Sequence, residues 1–204
     1  GWDTEFVKEI NNIKHNNFYL SGTMVGAGQI EFDAGQTVDN FNETKLLNNL
    51  DNIKTFDFQG TTKCPGLVHK DIWEKVGGWS EEFSPTGGDD TDFAMKLWKM
   101  NIRIFKGLGK SLAYHFGSIT TRKKDKSLFT YLGSRGNKIF LKKWGVSINF
   151  FEKVYLKSGL DKNKKLIFNK YHAPLTDPIK NLNYYIDLIK AKFQLFYLKV
   201  INYK

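Results

Sequence analysis

The sequence of 204 residues predicts an α/β protein with a helical extension at its C-terminus. Two observations predict this class. Stretches with apolar residues three and four positions apart, which is the spacing of one helix face, alternate with short aromatic and β-branched runs that are typical of strands. In addition, lysine, aromatic and aliphatic residues dominate the composition from about Gly145 onward. We therefore predict a main part over residues 1–145 and a helical extension over residues 146–204.

The first predicted elements are a helix, a strand and a long loop. Asp3 precedes Phe6, Val7, Ile10 and Ile13, and this order predicts a capped amphipathic helix. The run "NFYLSGTMVG" then predicts a strand. The Gly, Asn and Asp content of "AGQIEFDAGQTVDNFNET" predicts a long loop, which leads to a short leucine-rich helix.

The middle of the chain contains the clearest helix pattern. A strand or turn is predicted at residues 64–66, and a short helix over residues 71–76 ends at two glycines. A longer helix follows "SEEFSPTGGDD", with Phe93, Ala94, Leu97 and Trp98 on its apolar face and Asp92, Lys96 and Lys99 outside that face. Two short strands, "IRIFKG" and "SLAYH", come next, and a further helical pattern ends near Phe140.

Composition narrows the class of partners. The formal charge of +10 arises from 31 basic and 21 acidic residues and suits a phosphate-bearing partner, an anionic membrane surface or nucleic acid. No nucleic-acid-binding motif is present, so we expect no nucleic-acid partner. The single cysteine, Cys64, excludes an internal disulfide framework and favours a reducing, cytoplasmic location. No apolar run reaches the roughly 18 to 20 residues that a membrane-spanning helix requires.

The stretch "TGGDDTD", residues 86–92, crowds three carboxylates together. Like charges repel each other, and a helix start needs only one capping Asp. One interpretation is structural: Asp89 or Asp90 is the N-cap of the following helix, and the glycines form an ordinary turn. The other interpretation is functional, because two glycines allow the sharp bend that would present carboxylates to a substrate.

This stretch stands within an ordered series of motifs. Gly77-Gly78-Trp79-Ser80-Glu81 precedes it, a predicted strand ending at His115 follows, with Ser118 and Thr120 nearby, and "FLKKWG" closes the series at residues 140–145. In this order and spacing, residues 60–145 resemble the C-terminal half of the catalytic domain of family 2 glycosyltransferases, which have the GT-A fold. The resemblance implies a mixed sheet flanked by helices for residues 1–145.

The resemblance covers the acceptor side and part of the donor site. In that family, nucleotide-binding strands and an Asp-x-Asp motif, which holds a divalent metal on the donor diphosphate, precede a segment such as "GWDTEF". We therefore expect the coding sequence upstream of Gly1 to contain an Asp-x-Asp after a strand-rich segment.

By resemblance, Asp90 is the general base that takes the proton from the acceptor hydroxyl during inverting attack on the anomeric carbon. A carboxylate suits this step, because the hydroxyl becomes acidic only as its bond to carbon forms. Asp89 stands where the family more often has Glu and would contact the acceptor, while Gly87 and Gly88 shape the turn. We interpret Asp92 as a helix-stabilising charge or as the partner of a nearby lysine.

Four further residues are candidates for binding. By resemblance, His115 would complete the shell of a divalent metal, Mn²⁺ or Mg²⁺, although a histidine at a strand end is otherwise structural. Arg122 and Lys124 would close over the donor diphosphate, or else belong to a solvated basic loop. Trp79 would stack on an acceptor sugar, or else be an ordinary core tryptophan.

The C-terminal stretch "LNYYIDLIKAKFQLFYLKVINYK" predicts a long amphipathic helix with one basic and one very apolar side. Such a helix either packs on the main part of the protein or lies on a membrane surface. Peripheral membrane contact through this helix is therefore an alternative to a purely cytoplasmic location.

The resemblance therefore implies an inverting glycosyltransferase that uses a divalent metal. It would move a sugar from a nucleotide-diphosphate donor to a hydroxyl acceptor, for which a glycan is the expected class. The alternative is a non-catalytic carbohydrate-binding or scaffold fragment without the nucleotide-binding half.

Overall fold

The computed structural model describes residues 2–26, 28–53, 56–60, 65–85, 87–117, 126–159 and 169–201, the side chains of residues 126–133, 199 and 201 excepted. In these ranges the helices are α1 (Trp2–Ile13), α2 (Glu43–Leu47), α3 (Lys70–Val76), α4 (Asp89–Lys99), α5 (Lys126–Trp144), α6 (Ile148–Phe150) and α7 (Leu182–Ile201). The strands are β1 (Phe18–Gly26), β2 (Phe58–Gln59), β3 (Gly66–Leu67) and β4 (Ile104–His115). Short 3₁₀ turns at Val38–Asn40, Leu50–Asn52 and Glu81–Phe83 and a π-helical turn at Phe151–Tyr155 accompany them.

The described strands form one mixed sheet in the order β2-β4-β1-β3, flanked by helices. β1 and β4 run parallel, whereas β3 pairs antiparallel with β1 and β2 pairs antiparallel with β4. The α/β class predicted from the sequence is confirmed. Antiparallel partners on both sides of a parallel pair make the sheet mixed.

The two strands predicted at "IRIFKG" and "SLAYH" are one continuous strand, β4, so that prediction is wrong in detail. The pairing register with β1 shifts between Ser21 and Thr23. Side chains hold the irregular part of β4: the Thr23 hydroxyl donates to the Leu108 carbonyl at 2.8 Å, and the Gly109 N–H donates to the Asp57 carboxylate at 2.9 Å. A bulge therefore absorbs the polar interruption without ending the strand.

The sheet separates two apolar clusters. Because successive strand residues point to opposite faces, Tyr19 belongs to one cluster and Leu20 to the other. The larger cluster joins the sheet to α3, α4 and α5 through buried residues that include Phe83, Phe93, Leu97, Trp98, Phe105 and Phe140. The smaller one joins it to α1 through Phe6, Phe18, Leu20 and Leu108. The predicted apolar face of α4 is thus confirmed as the face that packs on the sheet.

Residues after 145 contribute to the larger cluster. Phe151, Leu156 and Leu175 are buried within it. The stretch from residue 169 to 175 is hydrogen-bonded to the main part: the Tyr171 N–H donates to the Asp57 carbonyl at 2.7 Å, and the Leu175 N–H donates to the Arg103 carbonyl at 2.8 Å. The division between residues 145 and 146 stays a prediction.

The long C-terminal helix is confirmed as α7. Ala191 is buried, and the Tyr184 ring lies 5.4 Å from that of Phe150, so one side of α7 packs on the preceding helical turns. The predicted basic side is not found: the side that faces away from the protein is apolar, with lysines only at its edges. In the described part of the chain no helix has the length and apolar character needed to cross a membrane.

Lys106 places a buried charge in β4. Its Nζ lies 2.8 Å from the Glu9 carboxylate of α1 and 2.9 Å from the Asp57 carboxylate, and 5.0 Å from the centroid of the Tyr171 ring. Burial lowers the pKa of Lys106, but hydrogen bonds to Glu9 and Asp57 outweigh that effect, so the pKa is raised. This ammonium therefore ties α1, the segment before β2 and the stretch near Tyr171 to the centre of the sheet.

Lys106→Met is expected to lower the free energy of unfolding by about 3 kcal/mol, because it leaves the two carboxylates facing each other without a cation. Urea denaturation followed by circular dichroism measures the change. The matched control is Lys8→Met, since Lys8 pairs with Glu5 on the exposed surface of α1 and its loss is expected to cost less than about 1 kcal/mol. Equal losses in both variants would contradict a structural role for the Lys106 pairs.

Candidate functional site

The carboxylate motif occupies the turn into α4. Gly87 and Gly88 have φ angles of 109° and 95°, a region that L-residues with a side chain rarely adopt. Gly88 is the N-cap, and no side chain caps the helix. The interpretation of Asp89 or Asp90 as the N-cap is therefore wrong. The glycine pair makes the sharp bend, and α4 begins at Asp89.

The first two carboxylates of the motif accept hydrogen bonds from backbone N–H groups close by in the chain. The Gly87 N–H donates to Asp89 Oδ1 at 3.1 Å, and the Thr91 N–H donates to Asp90 Oδ1 at 2.9 Å. Both side chains are half-buried. The amide groups at the start of a helix stabilise anions, which offsets part of the repulsion between neighbouring carboxylates. Asp89 and Asp90 are thus held as a pair at a helix start that solvent and ligands can reach.

Asp92 is different, because its residue is completely buried (0% exposed) and bonds to distant parts of the chain. The Ser80 hydroxyl donates to it at 2.6 Å, and the Trp144 indole N–H donates at 2.7 Å. Lys143 Nζ lies 3.0 Å from Asp92 Oδ1. Asp92 lies outside the apolar face of α4 and is nevertheless buried, and the predicted lysine partnership is found. The partner comes from the Lys-Trp-Gly end of α5.

Two lysines beside Asp92 have shifted pKa values of opposite sign. Burial lowers the pKa of Lys143, but its hydrogen bonds to Glu82 and Asp92 outweigh burial and raise the pKa overall. For Lys96, burial and the nearby Lys143 charge lower the pKa, and the attraction of Asp92 opposes them only in part. Lys96 Nζ also donates to the Gly78 carbonyl at 2.9 Å. Asp92 and Lys143 form the strong pair, and Lys96 anchors the turn before it.

Helix α5 supports the same turn from the other side. The Arg135 guanidinium donates to the carbonyls of Ser84 at 3.0 Å and Glu82 at 2.9 Å. Gly136 packs directly on the backbone of Gly87, so closely that a Cβ at position 136 would overlap the Gly87 carbonyl oxygen. The position of the Asp89-Asp90 turn is therefore set by α5.

An aromatic cavity adjoins α4. The rings of Trp73, Trp79 and Phe93 lie with centroids 5.0 to 6.0 Å apart. With Tyr19, Lys70 and residues 66–68 they line a cavity of about 390 Å³, a volume within the range of small-molecule sites. Trp79 is 40% exposed, so it is not an ordinary core tryptophan. Because Phe93 lies one helical turn after Asp89 and Asp90, the cavity and the carboxylates share the start of α4.

His115 lies elsewhere, at the carboxyl end of β4 and opposite Gly26 at the end of β1. The Tyr114 hydroxyl donates to the Gly35 carbonyl at 2.8 Å and accepts from the Ala34 N–H at 2.9 Å, so the predicted long loop is fastened to this edge. Along β1 the seven steps from Tyr19 to Gly26 span roughly 23 Å. The structure thus brings Trp79, Gly87, Gly88, Asp89 and Asp90 together around α4 and places His115 at a different edge.

Of the residues predicted to bind a metal or the diphosphate, the structure describes His115. Within the described ranges no three His, Cys, Asp or Glu side chains are grouped closely enough to hold a metal ion. The predicted ligand His115 is therefore not part of such a group within these ranges. Ser118, Thr120, Arg122 and Lys124 lie outside the described residues.

Sequence reasoning missed several residues of the site. The motif "FLKKWG" is visible in the sequence, but the sequence does not show that Lys143 and Trp144 bond to Asp92. Arg135 and Gly136 are not marked in the sequence, except that a glycine weakens the helix pattern.

No protein-family model matches the chain, and no curated protein or solved structure matches it.

Proposed function

We propose that this protein is an inverting glycosyltransferase of the GT-A type that transfers a sugar from a nucleotide-diphosphate donor to a glycan hydroxyl. One observation carries the proposal: a half-buried carboxylate pair, presented by a two-glycine turn, lies one helical turn from an aromatic cavity of sugar-binding size. Aromatic faces bind the apolar C–H surfaces of sugar rings, and carboxylates accept hydrogen bonds from sugar hydroxyls.

In the proposed reaction the acceptor occupies the aromatic cavity, with one face on Trp79. The attacking hydroxyl approaches Asp90, which accepts its proton as the new oxygen–carbon bond forms. The bond from the anomeric carbon to the diphosphate breaks on the opposite side, and the nucleoside diphosphate leaves with the electron pair. Asp89 accepts a hydrogen bond from a second acceptor hydroxyl and fixes the orientation.

A divalent metal, when bound, would neutralise charge on the leaving diphosphate. His115, the predicted ligand, does not fit this place, because it lies at the carboxyl ends of β1 and β4 and not beside the cavity and α4. Arg122 and Lys124 are proposed for the same diphosphate, because a basic segment stabilises the developing charge. These assignments follow the order of motifs from Gly77 to Gly145.

The experiment is a transfer assay on the protein expressed from its full coding sequence. A panel of UDP-, GDP- and dTDP-sugars is offered with Mn²⁺ and mixed oligosaccharide acceptors, and released nucleotide and extended product are both measured. The proposal expects product with at least one donor and its loss in Asp90→Asn. Equal product from both proteins would refute Asp90 as the base, and no product from any donor would favour the second candidate.

The second candidate is carbohydrate binding without transfer. The exposed Trp79 beside a formed cavity favours it, because this feature requires no donor. It predicts binding of oligosaccharides that is indifferent to nucleotide-sugars, to Mn²⁺ and to substitution of Asp90.

Trp79→Ala is expected to weaken oligosaccharide binding about tenfold, because a stacked ring contributes roughly 1 kcal/mol beyond its buried area. Trp79→Phe keeps a ring and is expected to retain most of the affinity. Titration calorimetry with gluco-, manno- and galacto-oligosaccharides measures both. Trp2→Ala is the matched control, since Trp2 is similarly exposed (55%) but lies on α1; a loss equal to that of Trp79→Ala would contradict a specific site.

A further inference from the structure

The outer face of α7 is apolar along its whole length. Exposed side chains recur at spacings of three and four residues on the side opposite the buried Ala191, and they include Leu182, Ile186, Ile189, Phe193, Phe196 and Tyr197. Phe193 and Phe196 are 70% and 66% exposed. A surface helix normally turns polar residues outward, so an apolar outer face marks a docking surface.

Lysines border this face. At 100° per residue, Lys190 and Lys192 lie about 60° and 100° to either side of Phe193. The acidic residue of α7, Asp187, is half-buried and lies away from the outer face, 3.2 Å from Lys190. An apolar face with lysines on both borders is the arrangement of a helix that lies in the plane of a membrane surface, because lysine stems extend along apolar surface while their charges reach the headgroups.

A groove of about 560 Å³ runs beside the same helix. Three of its lining residues are Lys153, Lys157 and Lys190, against one carboxylate, Asp187. Ile186 belongs both to this groove and to the outer face of α7. Positive charge therefore lies next to apolar surface along α7. This arrangement complements an anionic lipid, in which a negatively charged headgroup adjoins apolar acyl chains.

We propose that α7 docks the protein on an anionic membrane surface, with its outer face in the headgroup–acyl boundary and a lipid phosphate near Lys153 and Lys157. The formal charge of +10 matches such a surface. A second copy of the chain fits less well. Two outer faces packed together would bring their lysine borders into contact, and α7 offers no carboxylate on that face to pair with them.

The test is flotation of the protein expressed from its full coding sequence, without donor or metal, so that its outcome is independent of the transferase proposal. Vesicles of phosphatidylcholine with phosphatidylglycerol are compared with phosphatidylcholine alone. Binding to the anionic vesicles that weakens with salt is expected. Phe193→Ser/Phe196→Ser is expected to lower binding at least tenfold, and Lys153→Gln/Lys157→Gln by about 30-fold, at roughly fivefold per lysine.

Matched controls are Val38→Ser for the apolar change and Lys99→Gln/Lys110→Gln for the charge change, since all three residues are exposed and belong neither to α7 nor to the lining of the groove. They are expected to bind as the wild type does. The proposal fails if binding does not depend on anionic lipid, if the controls lose as much as the α7 variants, or if no vesicle is bound. A dimer in sedimentation velocity that Phe193→Ser/Phe196→Ser dissociates would also overturn it, in favour of a second copy.

Discussion

Asp90→Asn is expected to lower kcat/KM for sugar transfer at least about 100-fold, the smaller end of what a general base contributes. Asn keeps the shape of Asp and can still accept a hydrogen bond from the Thr91 N–H, but it cannot take up the acceptor proton. Because Gly88, not Asp90, is the N-cap, stability should change little. The loss is expected in kcat, with KM for the acceptor nearly unchanged.

Two companion variants sharpen this measurement. Asp71→Asn alters an exposed carboxylate in the first turn of another helix, α3, and should leave transfer unchanged. Asp89→Asn should mainly raise KM for the acceptor, since Asp89 is assigned to orientation. If Asp90→Asn retains full kcat, or if Asp89→Asn abolishes kcat instead, the roles of these two carboxylates are assigned wrongly.

Asp92→Asn is expected to lower the free energy of unfolding by about 3 kcal/mol, because it removes the charge that compensates the partly buried Lys143. The amide can accept the Trp144 indole N–H, but its NH₂ group then faces Ser80 and Lys143, which both donate in the wild type. Urea denaturation measures the loss, and Asp71→Asn again serves as the exposed control, with an expected change below about 1 kcal/mol. A similar loss of stability in both variants would contradict the structural role assigned to the buried Asp92 carboxylate.

The pH dependence provides a second readout. The pKa of Lys143 is raised above its ordinary value of 10.5, so its pairs contribute fully below that value. Their contribution is lost as pH rises through the folded-state pKa. The difference in stability between wild type and Asp92→Asn should therefore be constant in the neutral range and shrink only in strongly alkaline solution.

The sequence predicts elements well where one face is buried. The period of Phe93, Ala94, Leu97 and Trp98 predicts α4 correctly, because these residues pack on the sheet. The interruption at residues 108–110 predicts two strands, since local patterning does not show that Thr23 and Asp57 hold a bulge together. A single sequence therefore predicts those elements whose residues follow a regular apolar period. It does not predict features that depend on contacts with residues far away in the chain.

In the candidate site, too, local features could be predicted from the sequence and long-range contacts could not. The two-glycine bend and the carboxylate pair that follows it could be predicted from residues 86–92 alone. The burial of Asp92 could not, because its partners Lys143 and Trp144 come from the end of α5, far along the chain. For α7, the pattern predicted the helix but not its outward direction, since both its inner and outer sides are apolar and only packing distinguishes them.

The contact between Gly136 and Gly87 has a consequence for protein engineering. The smallest portable form of this carboxylate turn is discontinuous: residues 78–92 together with residues 135–144. Grafted alone onto another scaffold, the heptapeptide "TGGDDTD" would lack the helix surface against which its bend is seated. A transplant that keeps both pieces, with glycine at each contact position, should preserve the spacing of Asp89 and Asp90.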